Sequence, residues 1–412
     1  MPGRSAPASR YLRSVPLVTR FANDADLTSV WDVFVRSFDF PQSRFDEWLG
    51  DSDPARVLAV FDGERAVAAS RMITFGQWYG GRRVPMAGFS PVAVAPEHRS
   101  RGLGRIVTAG QYDDLRQRGE VAAGLFPAAV ALYRSVGFEL AGGYVERRIP
   151  SAHLAAIRGG RDVVVRPGTA ADVAGVRACY DRIAATRSGY LDRPEELWRR
   201  KVPGDLAGLH LYVVDAARGP APTLTGYAAY RHVKARPPYD YSVRLVELMA
   251  DDPDVTAALW RVVGSSGTQA PHVFTIGPPD DPMFLQLPMA DPEAVRSEIR
   301  WMVRLIDAPA AIAARGYRRS TMTRVDLEII DEDAPWNAGR WVLEASDGSA
   351  TLRRGGAGTV QAPVGGLSSL WSGYVSARTL AGAGLLHSAD PAALDALDDV
   401  FASPPPMLLD FY

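Results

Sequence analysis

The sequence predicts an α/β protein with mixed sheets and flanking helices, in which two similar units are followed by a smaller α+β unit. Its 412 residues are too many for one ordinary hydrophobic core. Short apolar runs alternate with helix-like segments from about residue 15, and a similar order starts again near residue 163. Later in the chain the pattern changes to hairpins followed by helices. We therefore expect a flexible tail over 1–14 and three units over 15–150, 151–290 and 291–412.

The predicted elements of the first unit follow from apolar periodicity and turn residues. A helix with one apolar face is expected after Asp24 or Asp26, either of which suits the N-cap. Asp62-Gly63 is typical of a hairpin turn. The unit is predicted to continue with a strand that ends at Val94, a glycine-rich loop, one helix from Leu103 to about Arg118, a strand over 121–126, a short helix over 129–135 and a strand over 144–149.

The glycine-rich loop has the composition of an anion-binding site. Gly102 and Gly104 let the backbone approach a ligand closely, and they open a helix whose first N–H groups carry partial positive charge. Arg99, Arg101 and Arg105 add full positive charges. The spacing is neither the G-x-G-x-x-G of a dinucleotide fold nor the G-x-x-x-x-G-K-S/T of a P-loop. We therefore expect this loop to bind the pyrophosphate of a ligand that belongs neither to the dinucleotide-binding nor to the P-loop class.

The second unit is predicted to be a diverged copy of the first. Residues 163–172 repeat the pattern of residues 17–26. The segment after its fourth strand carries Asp251, Asp252 and Asp254 but no glycine pair and no arginine. Because carboxylates there would repel a pyrophosphate, we expect this copy to supply a wall of the substrate cleft and packing surface rather than a second pyrophosphate site.

The third unit combines a hairpin with helices. Residues 301–307 are strand-like, Asp347-Gly348 is typical of a hairpin turn, and helical patterns cover 367–376 and 391–401. The chain ends at Tyr412 in an apolar, aromatic segment, which is unusual for a solvated terminus. We therefore expect the C-terminus to be docked against the protein.

Composition excludes several classes of protein. The net charge of −1 argues against a general surface for nucleic acid or anionic membranes. Cys179 is the only cysteine, so no internal disulfide can form, and the six histidines show no pair at ligand spacing. We therefore expect no metal site. No apolar run reaches the roughly 18 residues that span a bilayer, and the N-terminus has no signal-peptide pattern, so a cytoplasmic location is the expectation.

The loop and its context resemble one enzyme family. Residues 99–104 contain R-x-x-G-x-G after a V-x-V strand, which resembles the coenzyme A loop of the GNAT N-acetyltransferases. Further along, Tyr133 precedes Gly137-Phe138, which is similar to the segment of that family near the coenzyme A thiol. The resemblance implies acetyl-CoA as co-substrate, bound by Val92, Ala93, Val94, Arg99, Ser100, Arg101, Gly102, Leu103 and Gly104.

The order of the three units extends the resemblance over nearly the whole chain from about Val15. It resembles the Eis family, the "enhanced intracellular survival" type acetyltransferases, in which the active site lies in the first unit and the C-terminus reaches into it. Residues 301–307, residues 314–317 and the terminal Phe411-Tyr412 add to the match. The resemblance implies a catalytic GNAT domain over 15–150, a degenerate GNAT domain without a coenzyme A loop over 151–290, a sterol-carrier-protein-like domain over 291–412, and a homo-oligomer, most often a hexamer.

The chemistry of amine acetylation gives the predicted catalytic roles. The reaction needs a neutral amine, a polarised thioester carbonyl and a proton for the departing thiolate. By resemblance, the terminal carboxylate of Tyr412 is the general base, acting through water, and Tyr133 is the general acid toward the coenzyme A sulfur. Backbone N–H groups over 92–94 would polarise the carbonyl as oxyanion donors do. Alternatives stay open: a core role for Tyr133, a merely packed end for Tyr412, and Glu97 or His98 as base.

The acceptor is predicted from Phe38, Asp39 and Trp48, which lie where the family lines its amine pocket. Asp39 would attract a cation and the rings would hold it by cation–π contact, although both rings also suit ordinary core packing. Ile183 and Phe411 depart from the aromatic and acidic residues that would favour a polycation. The predicted reaction is acetylation of a primary amine on a small cationic molecule, aminoglycoside or polyamine-like. Protein lysine acetylation and carriage of an apolar ligand by the third unit are the alternatives.

Overall fold

The chain divides into two compact lobes. A computed structural model describes residues 16–217, 223–236, 240–287 and 295–412. The predicted tail over 1–14 and the predicted boundary at 290–291 lie outside the described residues. The N-terminal lobe comprises Met1–Met72 with Phe89–Gln111, and the main lobe comprises Ile73–Gly88 with Tyr112–Tyr412.

The N-terminal lobe packs helices against antiparallel strands. Its elements are β1 (Val18–Phe21), α1 (Leu27–Phe38), α2 (Phe45–Gly50), β2 (Val57–Asp62), the first part of β3 (Arg65–Tyr79), the second part of β4 (Arg82–Val94) and α3 (Leu103–Ala109). β1 pairs with β2, and β2 pairs with β3, both antiparallel. Val30, Trp31 and Phe34 place the apolar face of α1 in the core, as its helical spacing predicts.

Asp26 is the N-cap residue of α1, one of the two predicted, and a 3₁₀ turn over Asp24–Asp26 that is capped by Asn23 leads into the helix. The Asn23 side chain accepts a hydrogen bond from the N–H of Ala25 at 3.0 Å. Asp26 in turn accepts one from the N–H of Asn23 at 2.8 Å, which completes a capping box. Asp26 thus occupies the N-cap of α1 but makes no side-chain hydrogen bond to the first turn of that helix; its carboxylate instead closes the turn before it.

The single helix predicted from Leu103 to about Arg118 is interrupted. α3 ends at Ala109, and α4 (Tyr112–Gln117) begins three residues later. Gly110 is the C-cap of α3, and its N–H bonds to the carbonyl oxygen of Ile106 at 3.0 Å. Glycine has a low helix propensity, which is the local reason for the break.

The main lobe is built on a mixed sheet with the strand order β4-β5-β13-β6-β12-β11-β10-β9-β7. The elements that follow α4 are β5 (Ala122–Leu125), α5 (Val130–Arg134), β6 (Glu139–Pro150), α6 (Ser151–Ala155), β7 (Arg166–Pro167), α7 (Val173–Ala184), β8 (Leu191–Asp192), α8 (Glu195–Lys201), β9 (His210–Asp215), β10 (Leu224–Arg236), β11 (Asp240–Ala250), α9 (Pro253–Gly264), β12 (His272–Gly277) and β13 (Val295–Leu305). β4 with β5 and β11 with β12 are parallel pairs. The other neighbours are antiparallel.

The position of β13 corrects one sequence interpretation. The sequence assigns residues 301–307 to the third unit, whereas the structure places β13 between β5 and β6, antiparallel to both. Met302 lies opposite Leu125 on one side and Leu140 on the other. Strands that pair across so many intervening residues leave no local signal in the sequence.

The remaining elements form a separate four-stranded sheet covered by helices. They are α10 (Ala308–Ala314), β14 (Thr323–Ile330), β15 (Gly339–Ser346), β16 (Ser349–Arg354), β17 (Val360–Pro363), α11 (Val364–Ser372), α12 (Ala377–Gly382) and α13 (Pro391–Phe401). The strand order is β16-β15-β14-β17. As predicted, Asp347 and Gly348 form the hairpin turn, with φ of 45° and 75°. Within the described ranges, no helix has the length and apolar character needed to cross a membrane.

A buried ion pair joins β13 to the segment after β14. Arg304 and Asp331 have fully buried side chains and share two hydrogen bonds, of 2.8 and 3.3 Å. Arg304 also donates to the carbonyl oxygen of Val136 at 2.8 Å, and Asp331 accepts from Asn337 at 3.0 Å. Each buried charge thus has several partners, which is the condition under which a buried pair is stable.

Replacing Arg304 with methionine should destabilise the main lobe by about 3–5 kcal/mol, because Asp331 would then be a buried carboxylate without its cation. The matched control is Arg324→Met. That arginine pairs with Asp326 and Glu344 at 3.7 Å, but its side chain is 64% exposed, so its loss should cost less than about 1 kcal/mol. Urea unfolding followed by tryptophan fluorescence measures both variants. Equal unfolding midpoints would contradict a stabilising role for the buried pair.

Candidate active site

The predicted coenzyme A loop lies in the N-terminal lobe at an uncapped helix N-terminus. Ser100 and Gly102 have φ of 61° and 76°, so the chain turns sharply before α3 begins at Leu103. Gly102 is the N-cap and provides no side-chain hydrogen bond. A Cβ placed on Gly102 would meet nothing within 4 Å. The first N–H groups of α3 are therefore open to an anion.

Arginine side chains and a buried backbone surround this turn. Arg99 and Arg101 are exposed, and Nε of Arg99 donates to the carbonyl oxygen of Val94 at 3.3 Å. Leu103 is buried in a small core against which Val92 and Val94 pack, and Ala93 and Gly104 are also buried. The arrangement combines a buried backbone with exposed cations at its rim, which suits a pyrophosphate.

The two alternative bases beside the loop have different surroundings. Glu97 contacts Arg36 at 3.3 Å and Arg65 at 2.6 Å. A hydrogen bond from its own backbone, together with these arginines, lowers the pKa of Glu97, which makes this carboxylate a weaker base. Nδ1 of His98 has no hydrogen-bond partner among the described residues. The geometry therefore argues against Glu97 as base.

The three predicted acceptor residues separate into two environments within the N-terminal lobe. Phe38 stacks on Phe40 with ring centres 5.4 Å apart, and Asp39 ends α1 with φ of 54°; both are exposed. Trp48 is only 8% exposed and lies 5.2 Å from the ring of Trp31. Trp48 thus has the core position that its sequence context left open. Phe38 and Asp39 remain accessible to a ligand.

Tyr133 lies in the main lobe on the short helix α5. Its ring is 6% exposed and packs edge-on against Phe138, with centres 6.0 Å apart. The N–H of Phe138 also bonds to the carbonyl oxygen of Tyr133 at 3.0 Å. Burial raises the pKa of Tyr133 to about 12. The hydroxyl is therefore protonated at neutral pH, as a proton donor must be.

The C-terminal ring occupies a space formed by two strand glycines. Gly88 of β4 and Gly124 of β5 are direct partners in the sheet. A Cβ on Gly88 would lie 2.5 Å from the ring of Tyr412, and one on Gly124 would lie 2.7 Å from its hydroxyl. Phe75 and Phe126 flank the ring, with centres 5.0 and 5.8 Å away. The sequence analysis missed both glycines, although glycine inside a strand signals close approach of another group.

The residues just before the terminus are anchored by buried charges. Asp410 lies 3.0 Å from Nε of Arg193, and the same guanidinium pairs with Glu247 at 2.6 Å. Lys201 donates to the carbonyl oxygen of Leu409 at 2.7 Å. Burial acts to raise the pKa of Glu247, but Arg193 outweighs it and the pKa is lowered. The side chains of Arg193, Glu247 and Asp410 are almost completely buried, and the sequence carries no local signal for this cluster.

The helix in the second repeat that corresponds to α3 is closed at its N-terminus. Asp252 is the N-cap of α9, and one of its carboxylate oxygens accepts from the N–H groups of Asp254 and Val255 at 2.8 and 3.0 Å. An anion would have to displace this carboxylate and face its charge. The geometry therefore supports one coenzyme A loop per chain.

Three domain families match the chain and define its class. An Acetyltransferase (GNAT) domain matches residues 18–141, a second Acetyltransferase (GNAT) domain matches 189–305, and a Sterol carrier protein domain matches 308–409. The protein is therefore a GNAT acetyltransferase, a class that uses acetyl-CoA as co-substrate. The predicted fold, two tandem GNAT domains followed by a sterol-carrier-protein-like domain, is confirmed.

Similar proteins identify the family. An uncharacterized N-acetyltransferase of Streptomyces avermitilis is 29% identical over 393 residues, which cover 90% of this chain and 94% of the relative. An uncharacterized N-acetyltransferase of Streptomyces coelicolor is 32% identical, covering 76% and 78%. The N-acetyltransferase Eis of Mycobacterium tuberculosis is 30% identical over 354 residues, covering 80% and 81%. The chain belongs to the Eis-like family of N-acetyltransferases.

Solved structures support the same assignment. A GCN5-related N-acetyltransferase from Kribbella flavida matches with a TM-score of 0.85 and 32% sequence identity, covering 97% of this chain and 99% of that one. Eis1 from Mycobacterium abscessus matches with a TM-score of 0.78 and 25% identity, covering 96% and 100%. The likeness therefore extends over all three domains.

The loop geometry predicts which helix N-terminus binds acetyl-CoA. Arg101→Gln should raise the Kd for acetyl-CoA about tenfold, because a charged donor to a phosphate is lost. Asp252→Asn is the matched control at the closed helix and should leave the Kd unchanged. Titration calorimetry should also give one acetyl-CoA per chain. Two molecules per chain, or a weakened affinity in the Asp252 variant, would contradict the assignment.

The space around Tyr412 predicts how a small substitution would displace the terminus. Gly88→Ala should cost about 1–3 kcal/mol, because the new methyl group overlaps the Tyr412 and Phe75 rings. The terminal residue should then be released faster by a carboxypeptidase, and activity should fall. Gly365→Ala is the control, since its Cβ would meet no atom closer than 3.5 Å. Equal rates of tyrosine release from both variants would show that the ring does not hold the terminus.

Proposed function

We propose that this enzyme transfers the acetyl group of acetyl-CoA to a primary amine of a small molecule, with the terminal carboxylate of Tyr412 as general base and Tyr133 as general acid. One observation carries the proposal: the C-terminal segment is built into the main lobe. The Tyr412 ring is buried over Gly88 and Gly124, and Asp410 is paired with a buried arginine. These contacts hold the main chain of Tyr412 in one position, as a general base requires.

The terminal carboxylate meets a requirement of amine acetylation. An aliphatic amine is mostly protonated at neutral pH, and only its neutral form attacks the thioester. A carboxylate near the amine attracts the cation and accepts its proton, directly or through one water. The amine nitrogen then bonds to the acetyl carbon while the carbon–sulfur bond breaks. The α-carboxylate of the last residue supplies this base without a side chain.

Tyr133 suits the second proton transfer. The departing thiolate needs a proton, and the raised pKa of Tyr133 keeps its hydroxyl protonated over the whole physiological range. In the same proposal, backbone N–H groups over 92–94 polarise the thioester carbonyl. The loop from Arg99 to Gly104 holds the pyrophosphate, and its arginines add charge-assisted contacts.

The finer identity of the acceptor is proposed from the resemblance and from exposed residues. A small cationic acceptor such as an aminoglycoside or a polyamine would be attracted by Asp39 and would contact Phe38. In the main lobe, Asp410 and Glu247 lie near the C-terminus, but both are already paired with Arg193. Their negative charge is therefore largely neutralised and would attract a polycation only weakly. The proposed assembly is a homohexamer, and sedimentation velocity would test it. The cytoplasmic location stays a prediction.

The two alternative functions, carriage of an apolar ligand and acetylation of a protein lysine, are not equally supported. Carriage of an apolar ligand needs an open interior in the third domain, but Leu343 and Trp371 occupy its core. Arg315 lies in the same interior and donates to the carbonyl oxygens of Trp371 and Phe401. A protein lysine as acceptor stays as the second candidate, and a lysine peptide belongs in any acceptor panel.

The proposed catalytic roles can be separated by three variants. Tyr133→Phe should lower kcat by about 10²–10⁴, as loss of a general acid does. Tyr412→Phe keeps the terminal carboxylate and should retain most of the activity. A chain extended by two glycines after Tyr412 moves that carboxylate and should lose the activity. Thiol release from acetyl-CoA, measured against aminoglycosides, polyamines and a lysine peptide, reports each variant.

The opposite pattern would contradict the mechanism. An extended chain that remains fully active would exclude the terminal carboxylate as base. An active Tyr133→Phe enzyme would leave Tyr133 the core role that the sequence kept open. Acetyl-CoA binding, measured in parallel, shows whether a loss of activity reflects chemistry or unfolding.

A further inference from the structure

A cavity of about 320 Å³ in the main lobe lies beside the C-terminal segment and is predominantly basic. Phe411 and Leu409 form one side of it. The charged side chains of its lining are four cations and one carboxylate: Arg147, Lys201, Arg244, Arg296 and Glu146. The volume is at the lower end for small-molecule sites. A positive potential therefore fills a space of small-ligand size.

Two of these cations have no acidic partner among the residues that the structure describes. Arg244 on β11 and Arg296 on β13 lie over the ring of Phe274, with guanidinium carbons 5.9 and 5.1 Å from its centre. Two guanidinium groups held over one ring repel each other. An anion placed between them would relieve that repulsion, and planar guanidinium groups bind carboxylate and phosphate through paired hydrogen bonds.

Arg147, by contrast, lies on the other face of the sheet from Phe274, because it is the direct partner of Thr275 on β12. Its side chain is 1% exposed, and one end donates to the carbonyl oxygen of Pro278. Nη1 stands 4.0 Å from Asp281, and in the described part of the chain neither Nε nor Nη1 has a hydrogen-bond partner. Desolvation lowers the pKa of Arg147. Its guanidinium carbon also lies 4.8 Å from the centre of the Phe284 ring, so Pro278, Asp281 and Phe284 hold this cation on that other face.

The remaining charges do not neutralise the cavity. Lys201 is only 18% exposed and donates to the carbonyl oxygen of Leu409, and its Nζ lies 3.8 Å from the carboxylate of Asp410. Glu146 is the single carboxylate in the lining, and it already accepts a hydrogen bond from Ser297 at 2.7 Å. Arg244 and Arg296 therefore supply the positive charge of the cavity that has no acidic partner among the described residues, and this charge favours an anion over a polycation.

The cavity lies one aromatic layer from the terminal residue. Tyr144 is in its lining, and the ring of Phe126 lies between Tyr144 and Tyr412, 6.2 and 5.8 Å from them. Phe411, whose ring is in the lining, contacts the same Phe126 at 4.8 Å. A ligand in the cavity therefore lies close to the residue that carries the proposed base.

We propose that this cavity binds an oxyanion, carboxylate or phosphate, that the acceptor carries in addition to its primary amine. The proposal rests on the proposed acetyl transfer, but it replaces the purely cationic acceptors suggested by Asp39 with amines that also carry an acidic group. Good acceptors are anionic amines such as amino acids or amino-sugar phosphates. Polycations without an acidic group are poor ones.

Matched acceptor pairs test this specificity. Lysine differs from cadaverine by one carboxylate, and glucosamine 6-phosphate differs from glucosamine by one phosphate. We expect kcat/KM to be at least about tenfold higher for the anionic member of at least one pair, mainly through KM. The pair that shows the preference identifies which oxyanion the cavity accepts. Arg244→Met combined with Arg296→Met should abolish the preference while leaving kcat on cadaverine and glucosamine, which lack the acidic group, within a few-fold.

Two further variants complete the comparison. Glu146→Gln removes the only carboxylate of the lining and should strengthen the preference for the anionic member. Arg353→Met removes an exposed arginine of β16, outside the cavity, and should change nothing. The same loss in Arg353→Met as in the double variant would attribute the effect to overall charge and overturn the proposal.

A binding measurement separates failure of this proposal from failure of the proposed reaction. Glucose 6-phosphate and hexanoate carry the anion without the amine, and calorimetry with the enzyme saturated by coenzyme A keeps them from the pyrophosphate loop. At least one should bind, and at least about tenfold more weakly to the double arginine variant. If no amine is acetylated but this binding is found, the anion site stands and the reaction fails. If neither probe binds through these arginines, or binding occurs without any acceptor preference, the proposal is overturned even when amines are acetylated.

Discussion

The candidate active site depends on one buried cluster of charges. Arg193 has a fully buried side chain and pairs both with Glu247 on β11 and with Asp410, two residues before the chain end. Removing three charges from water is costly, and only the complete set of partners offsets that cost. The C-terminal segment consequently has one favourable position, since any other leaves a buried charge unpaired. Directional ion pairs define this position more narrowly than apolar packing alone would.

Packing and charge act on neighbouring residues of the terminus. Asp410 fixes the segment through its ion pair with Arg193. The Tyr412 ring fits in its place only because Gly88 and Gly124 lack side chains. Phe411, which lies between Asp410 and Tyr412 in the chain, is 65% exposed. It is therefore the accessible part of the terminus. The third domain is connected to the same sheet through β13 and the Arg304–Asp331 pair. The end of the chain thus depends on contacts made by all parts of the main lobe.

The two GNAT copies differ in the charges at corresponding positions. The first copy leaves the N-terminus of α3 open at Gly102, whereas the second closes the corresponding helix with the carboxylate of Asp252. The second copy instead contributes Arg193, Lys201 and Glu247, which hold the terminus. The net charge of −1 does not reveal this difference. The buried acids are paired, whereas Arg244 and Arg296, two cations of the cavity beside Phe411, have no acidic partner among the described residues.

The sequence by itself determined the α/β class, the duplicated unit, the R-x-x-G-x-G loop, Tyr133 in its helix and the docked terminus, because each follows from periodicity or from a motif within a few residues. Only the tertiary structure decided that β13 lies between β5 and β6, that Trp48 is core, and that the acids near the terminus are neutralised. It also decided which arginines line the cavity. Arg193 and Asp410 are separated by 217 positions, and no local pattern reports which charges meet over such distances. Contacts of this kind arise from folding of the whole chain, whereas helix starts, turns and anion-binding loops are set by residues next to one another.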